Sequence, residues 1–73
     1  MNWRLLTEDD AASLLGVNLL IQVPDGRHKR YHCGTLQLEN GMYNISPPEW
    51  YTPKYFFNGG FDSIYYVRID EIL

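Results

Sequence analysis

The sequence predicts an α+β fold that is mainly β: a short N-terminal helix followed by a strongly bent antiparallel sheet or small barrel of four or five strands. Three observations predict it. Leu36-Gln-Leu-Glu-Asn-Gly-Met-Tyr-Asn-Ile45 alternates apolar and polar residues on either side of an Asn-Gly pair, the pattern of a tight hairpin. Val17–Val23 is a β-rich run that ends in the turn signal Pro24-Asp25-Gly26. Thr7-Glu-Asp-Asp10 ahead of Ala11, Ala12, Leu14 and Leu15 reads as a capped helix start.

The hairpin fixes a register. Both residues of a two-residue type I′ turn need φ > 0, which Asn40 and Gly41 tolerate. With those two as the loop, Glu39 faces Met42, Leu38 faces Tyr43, Gln37 faces Asn44 and Leu36 faces Ile45. Side chains alternate between faces, so Leu36, Leu38, Tyr43 and Ile45 are expected to be mostly buried together. Gln37, Glu39 and Asn44 fall on the opposite face. A slip by one residue would expose the whole apolar set.

Met1–Leu6 reads as a short apolar lead-in carrying Trp3, Leu5 and Leu6. The helix follows, with acids Glu8, Asp9 and Asp10 suiting the positive end of its dipole and Gly16 placed to end it. In Val17–Val23, Leu19, Ile21 and Val23 share one face, and apolar Leu20 on the other suggests cover there by the N-terminal helix. Cys33 is expected to be a small core residue, with Gly34 beside it as a bulge or bend. Pro47-Pro48 ends the hairpin's second strand because neither can donate to a ladder. Lys54–Phe57 is expected to be a short strand leading into the turn Asn58-Gly59-Gly60. Ile64–Asp70 is the last strand, with Tyr65, Val67 and Ile69 opposite Tyr66 and Arg68, and Glu71-Ile-Leu73 tucked against the sheet.

From Val17 to Leu73 this order resembles small SH3-like β-barrels. The resemblance lies in strand Leu19–Val23, in the Cys33-Gly34-Thr35-Leu36 bend into the Asn40-Gly41 hairpin, and in the closing strand Tyr65-Tyr-Val-Arg-Ile-Asp-Glu-Ile72. It implies a barrel that works by presenting a surface. An open antiparallel α+β sheet is the alternative.

Composition sets the class. The chain has 73 residues, enough for one domain with a small core, and a net charge of −3, too mild for a general polyanion binder. A single cysteine excludes an internal disulfide and a Cys-rich zinc site. No apolar run approaches the ~20 residues of a membrane span, and the start does not read as a signal peptide. The expectation is a reduced, cytoplasmic domain without membrane contact.

Chemistry-bearing residues are sparse. His28 and His32 would share a strand face while Cys33 points away, and no third histidine or second cysteine completes a metal set. The same divergence disfavours a Cys-His nucleophile. With neither phosphate loop nor serine elbow, the expectation is a non-enzyme without cofactor or metal. Two features favour binding. Arg27, Lys29 and Arg30 cluster at one hairpin tip. Six of the eleven aromatic residues, Trp50, Tyr51, Tyr55, Phe56, Phe57 and Phe61, crowd one connection, more than a small core absorbs. Trp50 and Tyr51 are expected to be exposed, because Pro47-Pro48 and Pro53 hold them off the ladder. Exposed Trp and Tyr are habitual interface anchors.

A compact, mildly acidic chain with an aromatic and charged surface is similar to the small accessory proteins of phages and mobile elements, anti-CRISPR and other anti-defence inhibitors among them. That resemblance implies a partner that is a host protein or protein complex, blocked by contact alone. The second choice is a nucleic-acid-binding barrel in which Arg27, Lys29 and Arg30 meet phosphates and the aromatic loop stacks bases.

Overall fold

A computed structural model describes residues 2–57 and 63–72. The turn expected at Asn58-Gly59-Gly60, the ring of Phe61 and the C-terminal Leu73 lie outside the described residues. The protein is mainly β, with five strands among the described residues: β1 (Arg4–Leu5), β2 (Asn18–Asp25), β3 (His28–Glu39), β4 (Met42–Ser46) and β5 (Tyr65–Arg68). They form one antiparallel sheet in the order β1-β5-β2-β3-β4. The sheet is open, with β1 and β4 as its edges, so among the described residues the strands do not close into a barrel. No described helix is long and apolar enough to cross a membrane.

The helix α1 (Glu8–Ser13) forms where the acids and alanines place it. Thr7 is extended and its hydroxyl accepts the Asp10 N–H at 3.2 Å, satisfying one otherwise open donor of the first turn. The helix ends at Leu14, and Gly16, at φ +76°, donates its N–H to the Leu36 carbonyl at 3.1 Å. That bond fastens the helix exit to β3. Ala11 and Leu14 join Leu19, Ile21, Leu36, Ile45 and Tyr66 in one core. The helix therefore covers the Leu19–Ile21 face, and not the Leu20 face as the sequence suggested. On the other face Leu20 is half-buried between its cross-strand neighbours, exposed Cys33 and buried Val67.

The central hairpin has the expected register, Leu36 facing Ile45 and Leu38 facing Tyr43. Its burial differs from expectation. Leu36 and Ile45 are buried, Tyr43 is partly buried against the core, and Leu38 is 48% exposed. Leu38 stands close to the turn, past the reach of the elements that cover the core.

Gly34 is not a bulge, since β2 and β3 pair continuously through it. It is a close approach: a Cβ there would lie 2.7 Å from the Ser46 carbonyl oxygen and 3.0 Å from Ile45 Cγ1. Cys33, on the other face, is exposed and so is not a core residue. Alternation puts it opposite buried His32, on the face it shares with half-buried Leu20 and buried Val67, at a position on that face that stays open.

The remaining differences are at the ends. The lead-in is an edge strand, β1, pairing Arg4 with Tyr66 and Leu5 with Tyr65. Lys54–Phe57 is not a strand; Phe56 alone bridges to Tyr43. The last strand stops at Arg68 and turns into a 3-10 turn, Ile69–Glu71, leaving Ile72 exposed where tucking was expected.

Candidate functional site

The connection from Pro47 to Phe57 leaves β4 through a cis Ser46–Pro47 peptide and returns to its outer edge at Phe56. Prolines deny it a ladder of its own, so its backbone is organised by side chains and single bonds. Buried His32 donates from Nε2 to the Pro47 carbonyl at 2.6 Å, because a carbonyl oxygen can only accept. Thr52 folds the middle into a tight turn: its Oγ1 accepts the Glu49 N–H at 2.9 Å and donates to the Glu49 carbonyl at 2.8 Å. Tyr51 donates its hydroxyl to the Tyr31 carbonyl at 3.2 Å, and Phe56 N–H donates to the Tyr43 carbonyl at 2.8 Å. Three ties to the sheet hold a loop whose tip is Trp50.

Trp50 is 75% exposed. It is ordered from below by its neighbours. The Arg30 guanidinium carbon lies 4.5 Å from the Trp50 ring centre and 5.5 Å from that of Tyr51. The Trp50 and Tyr51 rings meet edge to face at 5.4 Å, and Tyr51 meets His32 in the same way at 6.0 Å. Arg30 is itself held by Asp25, with Nε 2.6 Å from Oδ2. Cations above aromatic faces are attracted by the ring quadrupole, which fixes the indole's orientation while leaving most of it in water.

This arrangement unites part of the basic hairpin tip with part of the aromatic loop. Arg30 points to the His32 face of β3 and joins Trp50 and Tyr51. Lys29 alternates to the other face and Arg27 sits in the exposed turn, so neither joins them. Tyr55 is half-buried, with Lys54 Nζ 5.6 Å from its ring centre. Phe56, named among the binding residues from the sequence, is 5% exposed and serves the core instead. Phe57, at φ +64°, turns outward and packs edge to face on Tyr43 at 5.7 Å.

Among the described residues no three His, Cys, Asp or Glu side chains gather as metal ligands, and His32 Nε2 is engaged by Pro47. A displaced titration occurs at the far end of the sheet, where hydrogen bonds from Arg68 hold the Asp70 carboxyl below its ordinary range. It lies outside the loop cluster. Sequence reasoning missed His32 and Thr52, the two residues that shape the loop. The Glu49-Trp-Tyr-Thr52 spacing was a signal for the Thr52 turn; nothing local marked the His32 bond.

What the cluster can do chemically is present a rigid indole flanked by a phenol and a guanidinium. Beside it, between β4 and the loop, lies a cavity of about 540 Å3. A scan against protein-family models, a search of curated proteins and a search of solved structures return no match for this chain.

Proposed function

We propose that the protein is a non-catalytic binding module that captures a partner protein through Trp50, Tyr51 and Arg30. One observation carries the reading: a tryptophan three-quarters exposed, yet held by Arg30 at 4.5 Å and Tyr51 at 5.4 Å. Trp, Tyr and Arg are the residue types that dominate interface hot spots. An anchor ordered before contact loses little side-chain freedom on binding, which lowers the cost of association. Leaving so large an apolar ring in water costs stability that a small domain scarcely spares, so its use lies outside the fold.

The finer reading is an SH3-like accessory protein of the kind phages and mobile elements use to block a host defence complex by contact. Supporting it are the antiparallel order and the concentration of the surface cluster on one loop. The host protein or complex would meet the Trp50 loop, while exposed Arg27 and Lys29 speed encounter with acidic surfaces.

The test is capture from a bacterial lysate by the immobilised chain beside a Trp50→Ala control. Removing a hot-spot anchor costs at least ~2 kcal/mol, roughly thirtyfold in affinity. A retained protein that binds the control equally well would remove the site from Trp50. A gel shift on DNA or RNA that weakens steeply with salt would favour the nucleic-acid reading instead.

A further inference from the structure

The cavity of about 540 Å3 between β4 and the Trp50 loop has a lining that the hot-spot reading does not use. On its sheet side stand Gln37, Asn44 and Ser46. Gln37 and Asn44 are cross-strand partners, so their side chains rise together from one face of the hairpin. Ser46 lies two residues beyond Asn44 and alternates onto the same face. The row is two amides and a hydroxyl, each able both to donate and to accept. Asn44 and Ser46 are half-buried and Gln37 is exposed. Among the described residues, no hydrogen bond engages any of these three side chains. On the loop side the cavity is lined by the rings of Trp50 and Tyr55. The carboxylates of Glu39 and Glu49 and the ammonium of Lys54 complete it.

We infer that this groove binds a neutral oligosaccharide. A sugar ring has two chemical aspects: a rim of hydroxyls, each both donor and acceptor, and apolar faces made of C–H groups. An amide side chain matches adjacent hydroxyls because it offers N–H donors and a carbonyl acceptor in one plane. A flat aromatic ring matches the C–H face, burying apolar area without demanding a charge. The groove has the first property on its sheet side and the second on its loop side. Other ligands fit less of it. A phosphodiester would meet two carboxylates against one ammonium and be repelled. A single protein side chain has too few donors and acceptors to engage the whole row. An extended main chain finds no open strand edge in the groove, since Phe56 and the loop leaving at Pro47 already occupy the outer side of β4. The volume falls within the ~300–1,000 Å3 usual for small-ligand sites. The inference goes beyond the protein-partner reading: Trp50 belongs to both, but the polar row carries this one.

The test is an array of neutral and sulfated glycans probed with the labelled full chain, followed by calorimetric titration of the oligosaccharide that binds best. A neutral oligosaccharide is expected, with an affinity that hardly changes between low and high salt because no ion pair forms. Gln37→Ala and Asn44→Ala should each weaken it roughly three- to tenfold, the effect of removing one hydrogen-bond partner. Gln37 is exposed, so its variant keeps the fold and stands in if Asn44→Ala does not. In a titration of the unmodified chain followed by NMR, the side-chain amide signals of Gln37 and Asn44 should shift; shifts confined to the Cys33 face overturn the inference. Binding confined to sulfated glycans, or full affinity in Gln37→Ala, also overturns it. The lysate capture separates this result from the fate of the protein partner. No glycan bound, with a protein still captured through Trp50, overturns the sugar site and leaves the hot spot standing. A glycan bound through Gln37, with no protein captured, upholds the sugar site and removes the protein partner.

Discussion

His32 Nε2 stands 2.6 Å from the Pro47 carbonyl oxygen, tying the middle of β3 to the first residue of the Trp50 loop. The two residues are 15 apart in sequence, and the bond crosses from a buried side chain to a backbone that no ladder serves. Replacing His32 with Ala leaves the Pro47 carbonyl without its partner, at a cost of about 1–3 kcal/mol. The indole resonance of Trp50 should broaden or shift at the same time, while that of Trp3 stays put. Urea denaturation and the two indole cross-peaks check this; a stability loss with an unmoved Trp50 signal would show that the loop is held without His32.

Gly34 belongs to the same corner. A Cβ at that position would lie 2.7 Å from Ser46 O and 3.2 Å from His32 Nε2, and backbone is slow to give way. Gly34→Ala is expected to cost about 1–3 kcal/mol and to displace the start of the loop. Gly26 offers the contrast, since a Cβ there meets nothing within 4 Å but the backbone sits at φ +61°. Gly26→Ala should cost about 1–2 kcal/mol through left-handed strain alone. Thermal melts rank the costs, and amide shifts at Trp50 and Tyr51 should change only in Gly34→Ala.

Leu36 and Leu38 share a face and differ in depth. Leu36 is fully buried, so Leu36→Ala should cost about 2–5 kcal/mol, enough to threaten a domain of this size. Leu38 is 48% exposed, and Leu38→Ala should stay within about 1 kcal/mol of wild type. Equal losses in the two variants would mean that the hairpin tip is covered in solution.

That pair also shows what was legible in the sequence. Asn40-Gly41 and the alternation around it determine register and face, because turn geometry and pleat are local properties. Depth is not local. It depends on where α1 and Phe56 end, and alternation carries no record of that. Cys33 shows the same limit: alternation sets it opposite His32, but that Val67 is buried on its face while Cys33 stays exposed depends on elements distant in sequence. The short edge strand Arg4–Leu5 has too few residues for a period to show, and its partner Tyr65–Tyr66 lies at the other end of the chain.

The site was legible in its composition and not in its construction. Surplus aromatics between prolines point to exposure at Trp50 and Tyr51; Trp50 is 75% exposed, whereas Tyr51 is half-buried and packs against the core. Which ring would be absorbed could not be read, since Phe56 and Phe57 are adjacent and identical in type. The bridge to Tyr43 sends Phe56 inward and Phe57 outward. Arg27, Lys29 and Arg30 looked equivalent as a charge cluster. Strand alternation and Asp25 single out Arg30 for the loop.

The Arg68–Asp70 pair supplies a pH prediction. Arg68 Nη2 donates to Asp70 Oδ2 at 2.8 Å, and this bond is the main reason the Asp70 carboxyl sits below its ordinary range. A depressed folded-state value contributes stability above the ordinary carboxylate range, and that contribution is lost as pH falls through the folded value. In Arg68→Gln the Asp70 carboxyl should titrate nearer its ordinary range, as followed by side-chain carbon NMR. An unchanged midpoint would mean that the bidentate contact is not populated in solution.

The last prediction concerns Arg30, which serves two neighbours with different demands. Asp25 needs only a nearby positive charge; the Trp50 face also needs the flat guanidinium that stacks on it. Arg30→Lys should therefore keep most of its coupling to Asp25 while losing coupling to Trp50. A double-mutant cycle between Arg30→Ala and Trp50→Ala is expected to return about 0.5–1 kcal/mol, the scale of an exposed cation–π contact. The same cycle begun from Arg30→Lys should return less. Both variants act at the surface, so each should stay folded and the difference can be read from urea midpoints. A cycle energy near zero would mean that Trp50 swings free of Arg30 in solution, and the anchor would then bear the full entropy cost of ordering when it binds.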